Sequence, residues 1–389
     1  MKILLVHNTY QYRGGEDAVV EDELALLRAH GHEVQLYSRD NHELQDQNSA
    51  SAAIACIWSG RTSRDLDALC QDFAPDLIHV HNSFPLISPA LHWSAARRRI
   101  PVVQTLHNFR LLCPQASLLR HGSICEDCIG TLPWRAIPRK CYRDSSAQSA
   151  VVTGMLGAHR IMGTWHNKVA RYIVFNRFCR DKFIQGGLPE QRIRIKPNCI
   201  DGGTLPAEGP RQGGLYLGRL SEEKGIHVLL DAKQYTPSST LRAAGDGPLR
   251  PEVAARLGHD YLGRVAHEST RALLQSAEYL IAPSTCYETF GLAVLEAFSC
   301  ATPAIVSAHG GLAELVEDGV TGLLVQPGDS ADLAAKIRWA DANPAALRRM
   351  GCAARKRYES AFTPSHNHRM LMDIYHEAIR SIRQPSLSA

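Results

Sequence analysis

Residues 214–232 read GLYLGRLSEEKGIHVLLDA and contain one complete unit of a parallel α/β fold. The apolar run 214–217 predicts a buried strand, and residues 225–232 carry apolar side chains at helical spacing. The loop between them holds Arg219 and Lys224. Because ligands of such folds lie beyond the carboxyl ends of the strands, two cations placed here predict a site for a diphosphate.

The same alternation of short apolar runs and helix-length segments continues in both directions along the chain. Further strands are expected at 2–7, 34–37, 77–80, 102–106, 172–175, 241–244, 279–282 and 304–306. Further helices are expected at 16–30, 271–276 and 292–300. Alternation of this kind is typical of parallel sheets covered by helices, so the sequence predicts an α/β protein with doubly wound, Rossmann-like domains.

A segment rich in Pro and Gly over residues 197–214 interrupts the alternation and predicts a linker between two such domains. The first domain is expected over residues 1–196, with a cysteine-rich insert at about 110–145. The second is expected over residues 197–360, followed by a C-terminal helix in 361–389 that packs back on the first domain. Two domains of this kind would place the ligand site in the cleft where they face each other.

Composition excludes several classes of protein. The chain has 389 residues, of which 44% are hydrophobic and 21% charged, and this is an ordinary globular composition. The net charge of +4 gives no argument for binding nucleic acid. No apolar run approaches the roughly 20 residues of a membrane span, and MKILLVH lacks the features of a signal peptide. We therefore expect a cytoplasmic protein with reduced thiols.

A second motif, Glu288-Thr-Phe-Gly-Leu-Ala-Val-Leu-Glu296, follows the predicted strand 279–282 and opens a helix. The backbone N–H groups of Phe290, Gly291 and Leu292 would point outward at the helix start, where an anion binds well. The two carboxylates could accept hydrogen bonds from sugar hydroxyls. Each residue alone has an ordinary structural explanation, and it is their joint order that indicates a site.

Together with Gly245-Asp246-Gly247-Pro248 and the segment PNCID at 197–201, these motifs resemble a retaining glycosyltransferase of family 4. The resemblance extends over nearly the whole chain through Gly14-Gly15 and the segments 76–81, 105–108 and 322–328. It implies a GT-B fold, a UDP- or GDP-sugar donor held by the second domain and a glycan or lipid-linked acceptor held by the first. It also implies retention of the anomeric configuration and no catalytic metal.

The resemblance implies roles for individual residues. Arg219 and Lys224 would hold the diphosphate, Glu288 a donor-sugar hydroxyl, and Glu296 the ribose. The catalytic set implied is His107, Arg219, Lys224 and Glu288, and the donor-binding set is Gly14, Gly15, Arg219, Lys224, Arg264, Val265, Glu288, Thr289, Phe290, Gly291, Leu292 and Glu296. His107 follows a predicted strand and would act as a hydrogen-bonding partner at the reacting centre.

Four cysteines, Cys113, Cys125, Cys128 and Cys141, lie within 29 residues and include one CxxC pair. Their spacing suits a structural Zn²⁺ held by four thiolates. The sequence leaves open an iron–sulfur cluster or four reduced thiols of a loop. A zinc site here would shape the acceptor side and would take no part in the chemistry.

Residues 135–196 hold thirteen Lys or Arg against three Asp or Glu. Such a stretch is either a solvated face or a site of peripheral attachment to an anionic membrane surface, here the inner face of the membrane. Two other functions stay open at this point. One is another GT-B activity such as a nucleotide-sugar epimerase, and the other is a non-catalytic zinc-containing binding protein.

Overall fold

The computed structural model describes residues 1–11, 14–45, 48–205 and 209–383. Its strands are β1 (Lys2–Thr9), β2 (Glu33–Asp40), β3 (Leu77–Asn82), β4 (Val102–Thr105), β5 (Leu119–Arg120), β6 (Ser123–Ile124), β7 (Arg171–Val174), β8 (Ile193–Ile195), β9 (Gly214–Leu217), β10 (Leu241–Ala244), β11 (Tyr261–Gly263), β12 (Tyr279–Ala282), β13 (Ala304–Ser307) and β14 (Gly322–Val325). Two of these, β5 and β6, form a small antiparallel hairpin.

The helices alternate with the strands. They are α1 (Gly15–Ala29), α2 (Ser49–Ile57), α3 (Gly60–Phe73), α4 (Ala90–Arg97), α5 (Ser146–Ile161), α6 (Thr164–Asn167), α7 (Arg177–Gln185), α8 (Ile226–Tyr235), α9 (Arg250–Leu257), α10 (His267–Ser276), α11 (Leu292–Ser299), α12 (Gly310–Leu315), α13 (Ser330–Ala342), α14 (Pro344–Ala361) and α15 (Pro364–Arg383).

The chain divides into two compact units. The first comprises residues 1–118, 125–196 and 368–389, and the second comprises residues 119–124 and 197–367. The second unit thus ends later than the predicted boundary at residue 360. The reason is local: the Asn367 side-chain amide donates to the Pro197 carbonyl at 2.7 Å, which ties the first turn of α15 to the second unit.

In the first unit a parallel sheet has the strand order β2-β1-β3-β4-β7-β8. Successive residues of β1 point to opposite faces of the sheet. Ile3 and Leu5 pack on one side with Leu27 of α1 and Leu371 and Tyr375 of α15. Their neighbours on the other side pack with α3 and α4 (Leu4, Val6, Leu66, Leu91). Helices therefore cover both faces, as predicted for a Rossmann-like domain.

The second unit repeats this architecture with the order β11-β10-β9-β12-β13-β14. Its core is formed by the central strands with α8 and α13 (Tyr216, Leu229, Ile281, Leu333, Ile337). In each sheet the chain first builds outward on one side of the initial strand and then crosses to the other side. The crossing points lie between β1 and β3 and between β9 and β12, and this is where doubly wound folds bind ligands.

Some elements differ from the sequence expectations. The strands β8 and β14 were not expected, and α10 begins at His267 instead of residue 271. Strand β8 is a short edge strand with Arg194 at its centre, so it lacks the continuous apolar run that marks the central strands. The predicted strands at 214–217, 241–244 and 279–282 have the bounds that the structure shows.

Candidate active site

The loops after β9 and β12 meet at the crossing point of the second sheet. The Thr285 N–H donates to the Glu223 carbonyl at 3.0 Å, which joins the two loops through the backbone. Gly225 has a φ of +70°, and a Cβ there would overlap the carbonyl oxygen of Pro283. Only glycine fits this close approach without strain, so the residue fixes Lys224 next to the second loop.

Lys224 and Glu288 form an ion pair across the crossing point. The Lys224 Nζ lies 2.6 Å from Glu288 Oε1, and the Ser284 hydroxyl donates to the same oxygen at 2.7 Å. Burial alone would raise the pKa of Glu288, but the attraction of Lys224 and these hydrogen bonds outweigh it and leave the pKa below its usual value. With 36% of the lysine side chain exposed, the ammonium remains within reach of an anionic ligand.

The start of α11 completes this edge of the sheet. Gly291 caps the helix with a φ of +112°, and a Cβ there would lie 2.6 Å from Leu312 Cδ2. The ring of Phe290 is buried and packs edge-on against Phe362 at 6.0 Å. The first-turn N–H groups of a helix have no partner within the helix and attract anions. Glu296 is half-buried one turn after Leu292, so both lie on the same face of α11.

The remaining donor-side residues lie along the same edge. Arg219 is exposed directly after β9, and its carbonyl accepts a hydrogen bond from the Tyr216 hydroxyl at 2.7 Å. Arg264 and Val265 follow β11, which is two strands away from β9. The structure therefore gathers Lys224, Glu288 and the start of α11 closely and places Arg264 and Val265 farther along the edge.

In the first unit His107 lies just after β4 and borders a cavity. The cavity is lined on its other sides by residues of α2, α5 and the loops after β3 and β4, among them Cys56, Phe84, Arg110, Met155 and Trp165. The Nε2 atom of His107 lies 3.0 Å from Nδ1 of His81. Burial and the neighbouring His81 hold the pKa of His107 well below its usual value, so its ring is neutral at pH 7.

A buried polar network lies behind His107. The Glu23 carboxylate, only 5% exposed, is 2.8 Å from His79 Nδ1, 3.1 Å from His81 Nε2 and 3.4 Å from the Lys196 ammonium. His79 also contacts the Tyr375 hydroxyl at 2.7 Å and the Thr105 hydroxyl at 2.8 Å. Burial would raise the pKa of Glu23, but the attraction of these two histidines and of Lys196 holds it well below its usual value.

These contacts fix the proton positions on the two histidines. Glu23 is ionised and can only accept, so Nε2 of His81 donates to it. Burial lowers the pKa of His81 to about 4, so the ring is neutral and its Nδ1 carries no proton. His107 Nε2, which lies next to that atom, must then be the donor. Nδ1 of His107 is then the ring nitrogen that carries no proton.

The role of Gly14 and Gly15 in binding a diphosphate stays a prediction, and the structure shows one contact of the Gly14 amide. The Gly14 N–H donates to Asp17 Oδ2 at 2.8 Å, and Asp17 is held in turn by His7 Nε2 at 2.8 Å. The Gly14 amide is thus committed to its own helix and could bind a diphosphate only after that hydrogen bond breaks. Arg13, the residue that precedes this pair, lies outside the described residues.

Glu16, in the first turn of α1, was not predicted as a functional residue. Its Oε2 accepts a hydrogen bond from the Tyr10 hydroxyl at 2.9 Å, while its Oε1 is buried with no hydrogen-bond partner among the described residues. Desolvation raises the pKa of the carboxyl to about 8, although Asn108 and Arg110 act to lower it. A carboxyl that is protonated at neutral pH therefore lies near the segment that follows His107.

The four cysteines are free thiols in the first unit. Burial and the proximity of the other three thiols raise the pKa of Cys128 to about 12. Across the described ranges, however, the one group of three or more potential ligand atoms within 4.8 Å of one another belongs to Glu23, His79 and His81. The sulfur atoms are thus near each other without that spacing, and the zinc site stays a prediction.

The basic stretch 135–196 does not form one continuous charged face. Six of its cations pair with carboxylates of the first unit, namely Arg139, Arg171, Arg180, Lys182, Arg194 and Lys196. Membrane attachment through this stretch stays a prediction. No helix in the described part of the chain has both the length and the apolarity needed to cross a bilayer.

Sequence reasoning missed Glu23, His81 and Lys196 as members of the site. The signal for Glu23 was present, because it shares the buried side of α1 with Val20 and Leu27, and a carboxylate on such a side needs a buried partner. What the sequence could not indicate was that the partners come from β3 and from the end of β8.

Two family models match the chain, each in a different unit. Residues 13–202 match glycosyltransferase family 4, and residues 211–343 match glycosyl transferases group 1. A glycogen synthase of Mycobacterium tuberculosis is 36% identical over 215 residues, which cover 51% of this chain and 51% of that protein. The chain spans about half the length of the curated relatives it matches.

Solved structures match nearly the whole chain. Sucrose-phosphate synthase from Thermosynechococcus elongatus is similar with a TM-score of 0.71 and 20% identity, over 98% of this chain and 99% of that one. The Anabaena protein Alr3699/HepE, solved in complex with UDP, is similar with a TM-score of 0.67 and 19% identity, over 96% of this chain and 99% of that one. These likenesses show the GT-B fold. Because each unit matches a glycosyltransferase model, the chain is similar to the glycosyltransferases of family 4 over most of its length.

Proposed function

We propose that this protein transfers a glycosyl group from a nucleoside diphosphate sugar to a hydroxyl group of a glycan or lipid-linked saccharide. The observation that carries the proposal is the Lys224–Glu288 pair at the crossing point of the second sheet, beside the amide groups that open α11. A cation, a row of outward N–H groups and a carboxylate are together complementary to a diphosphate joined to a sugar.

In this proposal the second unit binds the donor. Lys224 and Arg219 neutralise the diphosphate, and the N–H groups of Thr289, Phe290, Gly291 and Leu292 bind phosphate and sugar oxygens. Glu288 accepts from a sugar hydroxyl, Glu296 from the ribose, and Arg264 and Val265 border the base. A UDP-sugar is the first donor to test, because the structure of the similar Anabaena protein contains UDP.

The reaction we propose retains the anomeric configuration. The bond between the anomeric carbon and the diphosphate oxygen breaks, and the acceptor hydroxyl forms its bond on the same face of the sugar. The departing phosphate oxygen takes the hydroxyl proton, so the protein has to stabilise charge and hold the reactants in position. His107, which is neutral at pH 7 and borders the cavity of the first unit, would act as a hydrogen-bonding partner of a substrate hydroxyl at this centre.

No step of this mechanism uses a metal ion. Cys113, Cys125, Cys128 and Cys141 would hold a structural Zn²⁺ that stabilises the loop after β4. Burial raises the pKa of the Cys113 and Cys128 thiols, and a nearby cation would be needed to hold them as thiolates. The protein would act in the cytoplasm, peripherally attached to the inner membrane face, where lipid-linked acceptors are available.

The first experiment is a thermal-shift panel of the purified protein with UDP, GDP, ADP and their sugars. We expect one nucleotide to raise the Tm, and the shift to disappear in both Arg219→Ala and Glu296→Ala. NMR of the product formed with a saccharide acceptor then gives the anomeric configuration. Donor consumption without acceptor that yields an epimer would contradict the proposal, as would the absence of any nucleotide-dependent shift.

A further inference from the structure

The first unit carries a cluster of large apolar side chains on its surface. They come from α2, from the segment 129–143 and from the end of α5, and we refer to them as the α2–α5 face: Ile54, Trp58, Leu132, Trp134, Ile161 and Met162. Ile54 is 68% exposed, Trp134 61% and Ile161 81%. These six account for almost half of the exposed large hydrophobic residues in the described ranges, so their grouping on one unit needs a cause.

The elements that carry these side chains are packed neighbours. Ile57 of α2 approaches Gly154 of α5, where a Cβ would lie 3.8 Å from its Cδ1. Leu132 approaches Gly157 in the same way, at 3.7 Å. The Trp58 ring stacks on His159 with the centroids 6.1 Å apart. Helix α5 thus lies between α2 and the segment 129–143, and the exposed side chains belong to one continuous region.

The charges around the α2–α5 face have one sign. Between Cys128 and Arg180 the sequence has a single carboxylate, Asp144, and residues 48–64 have none. Arg135, Lys140 and Arg143 are exposed on the segment beside α5. The guanidinium of Arg135 lies 5.8 Å from the Trp134 ring, and Lys168 lies 4.6 Å from the ring of Trp93, a neighbour of Trp58. Cations and aromatic rings are therefore interleaved.

We propose that the α2–α5 face docks on the surface of an anionic lipid bilayer. Trp and aliphatic side chains would enter the interfacial region, where tryptophan rings are favoured, while the basic groups contact the lipid phosphates. The two contributions act together, since apolar burial gives attachment and charge gives selectivity for anionic lipid. A nucleic acid would use the cations but not exposed Ile54 and Ile161, and so the combination favours a bilayer.

The docking face shares its helices with the cavity beside His107. Cys56 of α2 and Met155 of α5 line that cavity from the buried sides of the same helices. A saccharide carried by a lipid would thus be anchored next to the cavity that opens on His107. The docking deepens the membrane attachment that forms part of the proposed function, and the role of a lipid-carried acceptor rests on the proposed glycosyl transfer.

The test is co-sedimentation with vesicles of phosphatidylcholine alone and of phosphatidylcholine mixed with phosphatidylglycerol. The double variant Trp134→Ser/Ile161→Ser should lower the partition onto anionic vesicles by about tenfold or more, because two large side chains no longer enter the interface. A second pair, Arg135→Gln/Lys140→Gln, should lower it by a similar factor and leave the residual binding less sensitive to salt. The matched control is Val320→Ser/Trp339→Ser, which removes two exposed apolar side chains of the second unit and should change nothing.

Three results would overturn the docking proposal: no binding to anionic vesicles, equal binding by the Trp134/Ile161 variant, or a dimer in solution that this variant dissociates. The thermal shift that a nucleotide causes in each variant distinguishes the docking proposal from the proposed glycosyl transfer. A variant that loses vesicle binding but keeps the shift and the transfer to a water-soluble acceptor supports docking. If the unaltered protein binds vesicles but no nucleotide, the proposed function is wrong and the docking stands.

Discussion

The two units hold a glutamate in opposite ways. In the first unit Glu23 is 5% exposed and is surrounded by two histidines and Lys196, which is itself buried. In the second, Glu288 faces a single lysine whose side chain is 36% exposed. Buried charges that satisfy one another form a fixed support, while a half-exposed pair can change partners when a ligand arrives. The network of the first unit would therefore hold His107 in position, while the Lys224–Glu288 pair of the second unit could exchange its contacts for those of a ligand.

The largest effect on the free energy of unfolding should come from removing the Glu23 carboxylate. Glu23→Ala leaves the Lys196 ammonium buried without its counter-charge, and we expect a loss of about 3–5 kcal/mol in the free energy of unfolding. Hydrogen exchange followed in urea should show the loss in peptides of the first unit. Glu21→Ala, on the exposed side of the same helix, is the control and should cost less than about 1 kcal/mol. Equal loss in both units would remove the distinction between them.

The Lys224–Glu288 pair should contribute less to stability and more to activity. Lys224→Ala should lower the free energy of unfolding by less than Glu23→Ala does, because 36% of the lysine side chain is exposed and the Ser284 hydroxyl still donates to Glu288. It should lower kcat/KM of glycosyl transfer by about 10²–10³, because the ammonium stabilises charge that develops on the leaving diphosphate. Arg348→Ala, at an exposed position on α14, is the matched control. Full activity in Lys224→Ala would exclude the lysine from the donor site.

The difference between the units also explains what the sequence could predict. The central strands and the loops that follow them carry local signals, so Arg219, Lys224, Glu288 and the helix after Gly291 were found as members of one edge. The network around Glu23 depends on contacts between residues far apart in sequence, with Lys196 lying 173 positions away. Strand β8 was not predicted because Arg194 interrupts its short apolar run.

Acidification should lower the stability of the first unit. Burial holds the pKa of His81 and of His92 at about 4, below the value of about 6.5 in the unfolded chain. The unfolded state therefore binds protons first as the pH falls, and stability present above about pH 6.5 is lost between there and about pH 4. Near pH 5 each histidine should cost about 2 kcal/mol.

Urea unfolding at about pH 7 and pH 5 measures this loss. His92→Gln should remove about 2 kcal/mol of the pH dependence, because its ring contacts Gln104 and the Pro89 carbonyl and has no part in the network of Glu23. His166→Gln, at an exposed position, is the control. An unchanged pH dependence in His92→Gln would mean that this histidine is protonated in the folded state.

The last effect concerns Glu16, which belongs to neither kind of pair. Desolvation raises the pKa of its carboxyl from 4.5 to about 8, so the folded state holds a proton that the unfolded state releases. Stability therefore falls as the pH rises from about 4.5 to about 8. Glu16→Gln removes the titration and should raise the free energy of unfolding by about 3 kcal/mol at pH 7, with almost no gain at pH 4.

The transfer rate of Glu16→Gln would show whether the carboxyl at this position has a function. If Glu16→Gln is more stable but transfers sugar more slowly, the carboxyl has a role next to the His107 segment that an amide cannot perform, and stability is sacrificed for function. If the variant is more stable and equally active, Glu16 is only a tolerated defect of α1. Glu21→Gln, on the exposed side of that helix, separates either result from a general effect of removing charge.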